Sequence, residues 1–159
     1  MIEEKVAAAL ASLALEHEVI EIDPTLADTT AFCAHYGYPP EKSANTILVA
    51  SKKEPRKYAV CVVLATTQLD VNRRVRSLLE VSRASFASAD EMRAVTGMEV
   101  GGVTPFALPP GIPLYVDQRI ALLDWIILGG GGRRTKIKIT PEALVRLGGQ
   151  FIEGLATER

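Results

Sequence analysis

The sequence predicts an α+β fold built around a mixed β-sheet. Two near-continuous aliphatic runs, residues 46–50 and 58–65, have the β-branched character of central strands. The segment between them is short, polar and proline-containing, so a hairpin is the simplest connection. Helical periodicities are interleaved with further strand signals, several too close together for helical crossovers, which disfavours a doubly wound parallel sheet.

The elements follow in order. Ile2, Val6, Leu10 and Leu13 recur at helical spacing and open the chain with an amphipathic helix. Residues 18–22 read as a short strand ended by Asp23-Pro24. Asp28 can cap a second helix through Phe32 and Cys33, with Gly37 closing it. Pro39-Pro40 begins a connector to the hairpin. Asp70 can cap a third helix with Val71, Val75, Leu78 and Leu79 on its apolar face. Residues 85–87 form a brief strand candidate. Ser88 and Glu91 make a capping box for a short helix ending near Gly97. Residues 113–117 and 125–128 read as strands. Lys136, Ile137, Lys138 and Ile139 alternate as a half-exposed strand does. Thr140-Pro141 starts the last helix, and residues 150–153 suggest an edge strand.

A chain of 159 residues with 48% hydrophobic composition can bury a sizeable core as one domain, taken as residues 1–159. The net charge of −1 gives no strong overall field for nucleic acid or an anionic membrane. The basic residues Lys52, Lys53, Arg56, Lys57, Arg73, Arg74, Arg76 and Arg83 can steer a polyanion if they share a face, and otherwise simply solvate the surface. Cys33 and Cys61 lack metal or redox spacing and read as buried thiols. No secretory signal pattern or membrane-length apolar run is visible, so the expectation is a cytoplasmic protein with no membrane partner.

The candidate site residues centre on Gly101 and Gly102, between Val100 and Val103 and before Thr104-Pro105. Side-chain-free backbone can present two N–H groups to a carbonyl or phosphate oxygen. It can equally be a helix C-cap at Gly97 followed by a tight turn. The glycine run 129–132 with Arg133-Arg134 is either a phosphate loop or a mobile turn. Asp117 can orient a ligand hydroxyl or a loop amide, or accept turn N–H bonds. Asn45 can donate to a substrate oxygen, although a plain turn residue is the simpler reading. No catalytic triad, P-loop or metal-ligand cluster is apparent, and no cofactor is expected.

These residues, in this order, resemble the YbaK/EbsC family, the freestanding relatives of the prolyl-tRNA synthetase editing domain. The most specific block is Thr96-Gly97 followed by Gly101-Gly102-Val103-Thr104-Pro105, and the likeness runs from about residue 15 to residue 155. The resemblance implies an α+β domain with a curved, barrel-like mixed sheet and flanking helices. It implies hydrolysis of the ester of a mischarged aminoacyl-tRNA, without protein nucleophile or metal. A hydroxyl of the terminal ribose would help to place the water. The implied partner is the 3′ aminoacyl end of tRNA, with an aminoacyl-tRNA synthetase as a further candidate. Asn45, Gly101 and Gly102 would hold the reacting group. Thr46, Val103, Thr104, Pro105, Asp117, Gly130, Gly131, Gly132 and Arg133 would shape the substrate site. One departure is visible: editing members carry a lysine where this sequence has Asn45. A non-catalytic tRNA or aminoacyl-adenosine binding module, or a small-molecule hydrolase indifferent to RNA, are the rival expectations.

Overall fold

Strand β3 (Tyr58–Leu64) shows why the central apolar runs are continuous: it is buried on both faces. Val60, Val62 and Leu64 enter one core, while Ala59, Cys61 and Val63 enter another on the opposite side of the sheet. The computed structural model describes residues 2–159, and residue 1 lies outside the described residues.

The elements comprise α1 (Ile2–Leu13), β1 (His17–Glu21), α2 (Thr29–Tyr36), β2 (Ala44–Ser51), β3, β4 (Thr67–Leu69), α3 (Arg76–Leu79), β5 (Ala84–Phe86), α4 (Ala89–Thr96), β6 (Leu114–Asp117), β7 (Ile126–Gly129), β8 (Thr135–Ile139), α5 (Glu142–Arg146), β9 (Gln150–Ile152) and β10 (Ala156–Glu158). Five strands form a mixed sheet in the order β5-β2-β3-β6-β9, parallel at β3–β6 and β6–β9 and otherwise antiparallel. A second, antiparallel sheet has the order β1-β8-β7. A parallel bridge between Ser43 and Ile127 joins the two, so the layers curve toward one another without closing into a barrel. The larger core lies between these sheets and the helices, and includes Leu10, Leu48, Phe106, Ile126, Leu128 and Leu144.

Local signals act as their chemistry requires. Gly37 and Gly97 close α2 and α4 in the left-handed conformation, at φ 77° and 73°. Ser88 accepts from the Glu91 N–H at the start of α4. The Glu91 carboxylate turns away from the reciprocal cap bond and takes Arg56 and the Tyr58 hydroxyl instead. The predicted third helix begins as a π-helical turn, Val71–Val75, with Asp70 capping it.

Strands β4 and β10 escape the sequence reading; each has three residues and pairs with a segment almost ninety positions away. Asp117 secures that distant segment. It is 2% exposed, and its carboxylate accepts from Arg119 N at 2.9 Å and Ala156 N at 3.0 Å. Of the two expectations for Asp117, the turn-capping one describes its bonds.

Asp117→Ala is therefore expected to lower stability by about 2–4 kcal/mol, the buried Ala156 N–H and the part-buried Arg119 N–H losing a charged acceptor. Equilibrium urea unfolding measures this, and a loss below about 0.5 kcal/mol would show that the carboxylate does not hold the C-terminal strand.

Candidate functional site

Two glycine segments, far apart in sequence, are locked together by backbone contacts. Gly131 N donates to Gly102 O at 2.6 Å, Glu99 N donates to Gly131 O at 3.1 Å, and Gly102 N donates to Glu99 O at 2.9 Å. A Cβ on Gly102 would lie 2.0 Å from Gly132 O, and one on Gly129 would lie 2.5 Å from Val103 O. Gly102 is thus a packing residue whose N–H is already used within the turn. Residues 129–132 are all buried, so the run is neither an open phosphate loop nor a mobile turn. Gly130 packs on Thr135, Gly131 on Ile2 and Val6, and Gly132 by Glu3 and Glu99.

Arg133 fastens the same assembly. Its Nε donates to Pro24 O at 3.0 Å, its Nη1 donates to Val100 O, and Asp28 lies 3.5 Å away. Thr104 and Pro105 are buried beneath the loop.

This arrangement leaves one wall of a cavity of about 450 Å³ formed by Val100, Gly101 and Val103. The N-terminal half of β2, including Asn45 and Thr46, forms another. Thr29 and Thr30 of α2 and Phe86 and Met92 also line it. Of the predicted residues, the fold therefore brings Asn45, Thr46, Gly101 and Val103 together. It places Gly102, Thr104, Pro105 and residues 130–133 behind the wall, and Asp117 elsewhere.

Asn45 is a strand residue, paired with Val63, and not a turn residue. The Thr29 hydroxyl donates to its Oδ1, which leaves the amide NH₂ as the half still able to donate. Thr46 Oγ1 is buried with no hydrogen-bond partner among the described residues.

The residue that sequence reasoning missed is Lys136. The alternation in β8 marked it as solvent-facing, yet Lys136 is 5% exposed and lines the cavity, while Lys138 is half-buried over the Trp125 ring. It sits on the central strand of the second sheet, between Ile20 and Gly129. Its Nζ donates to Gly101 O at 2.8 Å and lies 5.6 Å from the centroid of the Phe32 ring. Burial is the main influence on its pKa; Asp28 opposes the shift, Arg133 adds to it and Cys33 opposes it, and the result is about 8. No local signal marked it, because the carbonyl it reaches, Gly101 O, lies on a loop distant in sequence.

The sequence model of the aminoacyl-tRNA editing domain family matches residues 23–147. The uncharacterized protein YwhH of Bacillus subtilis (strain 168) is 32% identical over 62 residues, 39% of this chain and 40% of that protein. The chain thus aligns with less than half of that relative's length. A candidate trans-editing enzyme for prolyl tRNA synthetase has a similar structure, with TM-score 0.83 and 21% identity over 99% of this chain and 98% of that one. A hypothetical protein of solved structure gives TM-score 0.84 and 25% identity over 96% and 99% of the two chains. At 21% identity the former likeness describes the fold.

Two outcomes follow from the geometry. Gly102→Val is expected to cost more than 3 kcal/mol or to prevent folding, because its side chain meets backbone that cannot rotate away; a thermal midpoint within a few degrees of wild type would contradict the packing. For Lys136 the sign follows from its lowered pKa. Below about pH 8 both folded and unfolded states carry the charge, and the burial penalty is felt in full. Between pH 8 and the ordinary lysine range the unfolded chain binds more protons, so folding stability rises with pH. Wild type should gain roughly 2–3 kcal/mol relative to Lys136→Met between about pH 7.5 and pH 10. Parallel denaturation-derived stability curves for the two proteins would show that no buried ammonium is present.

Proposed function

Because this chain belongs to the aminoacyl-tRNA editing domain family, we propose that it is a trans-acting deacylase that hydrolyses the ester of a mischarged aminoacyl-tRNA in the cavity between β2 and the Gly101 loop. The supporting observation is that Lys136, Asn45 and the Gly101 backbone converge on one cavity. In this reading residues 1–159 act as one editing domain in the cytoplasm. The partner is the 3′ end of a charged tRNA, and prolyl-tRNA synthetase is the candidate synthetase, by analogy with the structural neighbour.

The chemistry asks little of side-chain nucleophiles. Water adds to the ester carbonyl carbon and the carbonyl oxygen takes up negative charge. The bond to the ribose oxygen then breaks, returning a ribose hydroxyl and releasing the amino acid as its carboxylate. The Lys136 ammonium retains N–H groups beyond the one given to Gly101 O, and a charged donor of this kind, itself buried, stabilises a developing oxyanion. The Asn45 NH₂ is a second, neutral donor. The Thr46 Oγ1, buried and without a hydrogen-bond partner among the described residues, would take part only if a small rotation of its side chain exposed it to the cavity. Gly101 contributes wall rather than side chain, and Val103 apolar contact. Gly102, Thr104, Pro105, Gly130, Gly131, Gly132 and Arg133 serve the site by holding that wall.

On this reading the cavity has a cation despite the asparagine at position 45, because the ammonium arrives from β8. A second reading, a binding module without turnover, draws on the same contact: Lys136 is already tethered to Gly101 O.

A charge-relocation experiment tests the proposal in single-turnover deacylation of a panel of mischarged tRNAs. Lys136→Met is expected to lower the rate about a hundredfold, the usual loss for one oxyanion donor. Asn45→Lys alone should bring no gain, since two ammonium groups would then share one cavity. Asn45→Lys combined with Lys136→Met should recover at least tenfold of the lost rate. Wild-type binding of tRNA with no turnover on any member of the panel would favour the binding module.

A further inference from the structure

Charge is unevenly placed in this chain. Residues 52–83 hold eight basic and three acidic side chains, in a protein whose overall charge is −1. Folding gathers part of this segment at one end of the five-stranded sheet. Lys52 N donates to Arg83 O at 3.0 Å, which joins the β2–β3 turn to the start of β5. Lys57 Nζ donates to Leu79 O at 3.3 Å and brings the end of α3 alongside. Lys52, Lys53, Lys57 and Arg83 are exposed. Among the described residues, no ion pair engages Lys52, Lys53 or Arg83. Arg56 is held by Glu91, and Glu54 is the one acid on the turn itself.

From that basic end, β5 leads to the cavity. It is one of the sheet's two edge strands, and Phe86 at its far end lines the cavity while remaining 58% exposed. Val100, across the opening, is 49% exposed. Arg83 and Phe86 are three strand steps apart, about 10 Å, and Lys52 is seven steps from Asn45, about 23 Å. An exposed ring at the mouth and exposed cations at the other end of the edge supply a stacking platform and a basic surface, the two features that single-stranded nucleic-acid sites combine.

We propose that the β5 edge and the β2–β3 turn form a docking track for the 3′ end of RNA, with Phe86 stacking a base beside the cavity and Lys52, Lys53 and Arg83 neutralising the phosphates that lead away from it. The inference rests on the proposed function for what enters the cavity, and the track itself is tested apart from turnover.

The test titrates the full chain with uncharged tRNA over about 50–200 mM salt. Replacing Lys52, Lys53 and Arg83 together by Gln is expected to reduce the salt slope of log affinity by about 2, three phosphate contacts at the single-strand value. Phe86→Ala should weaken binding by about fivefold to a hundredfold at every salt concentration, with the slope unchanged. All four positions are exposed, and unchanged thermal midpoints would verify that the variants fold. A non-hydrolysable aminoacyl-adenosine analogue should bind the triple variant as it binds wild type. If that analogue binds neither protein while the tRNA results hold, the cavity assignment fails and the track stands. Unaltered slope in the triple variant, full affinity in Phe86→Ala, no tRNA binding by wild type at low salt, or polyglutamate binding as tight as tRNA would each overturn the proposal.

Discussion

The contact on which the site depends is backbone against backbone: Gly102 on Gly131 and Gly132. No side chain fits between these segments, so their spacing is set by peptide groups alone. The contact places the loop after α4 against the turn between β7 and β8, which no short-range signal would bring together. Arg133 then ties the loop to the turn after β1 through two carbonyl oxygens. Peptide packing and a guanidinium staple hold the cavity wall through bonds internal to the fold.

The cavity's electrostatics follow from that wall. An ammonium with 5% exposure costs free energy, and Lys136 recovers part of it from the Gly101 carbonyl and the Phe32 ring. A polar pair of this kind is costly for stability and useful for recognition, as expected where function and packing compete. Asn45, with its acceptor half taken by Thr29, completes a wall rich in donors.

Much of the fold was legible because its signals are local. The β2–β3 hairpin, the capped starts at Asp70 and Ser88 and the glycine stops at Gly37 and Gly97 each depend on a few adjacent residues. What was not legible is non-local. The pairing of β4 with β10 leaves no periodicity in three residues. Period-two alternation assigned both lysines of β8 to solvent, yet Lys136 is covered by α2 and the Gly101 loop, which the strand's own pattern cannot reveal. Gly101 and Gly102 stand out in the sequence as a pair, but only the partner segment distinguishes the one that lines the cavity from the one that packs. Asn45 and Asp117 show the same limit from opposite sides: a presumed turn residue belongs to a strand in the cavity wall, and a candidate ligand contact is a structural tie.

The edges of the five-stranded sheet carry a consequence for self-association. Both edge strands, β5 and β9, are only three residues long. An exposed ring such as Phe86 on a long, flat edge would offer a template for a second chain to add a strand. Here a recruited strand would find three residues of ladder, entered past the exposed cations Lys52 and Arg83. The molecule can therefore keep an aromatic ring at its surface while its sheet gives copies of the chain little to polymerise on.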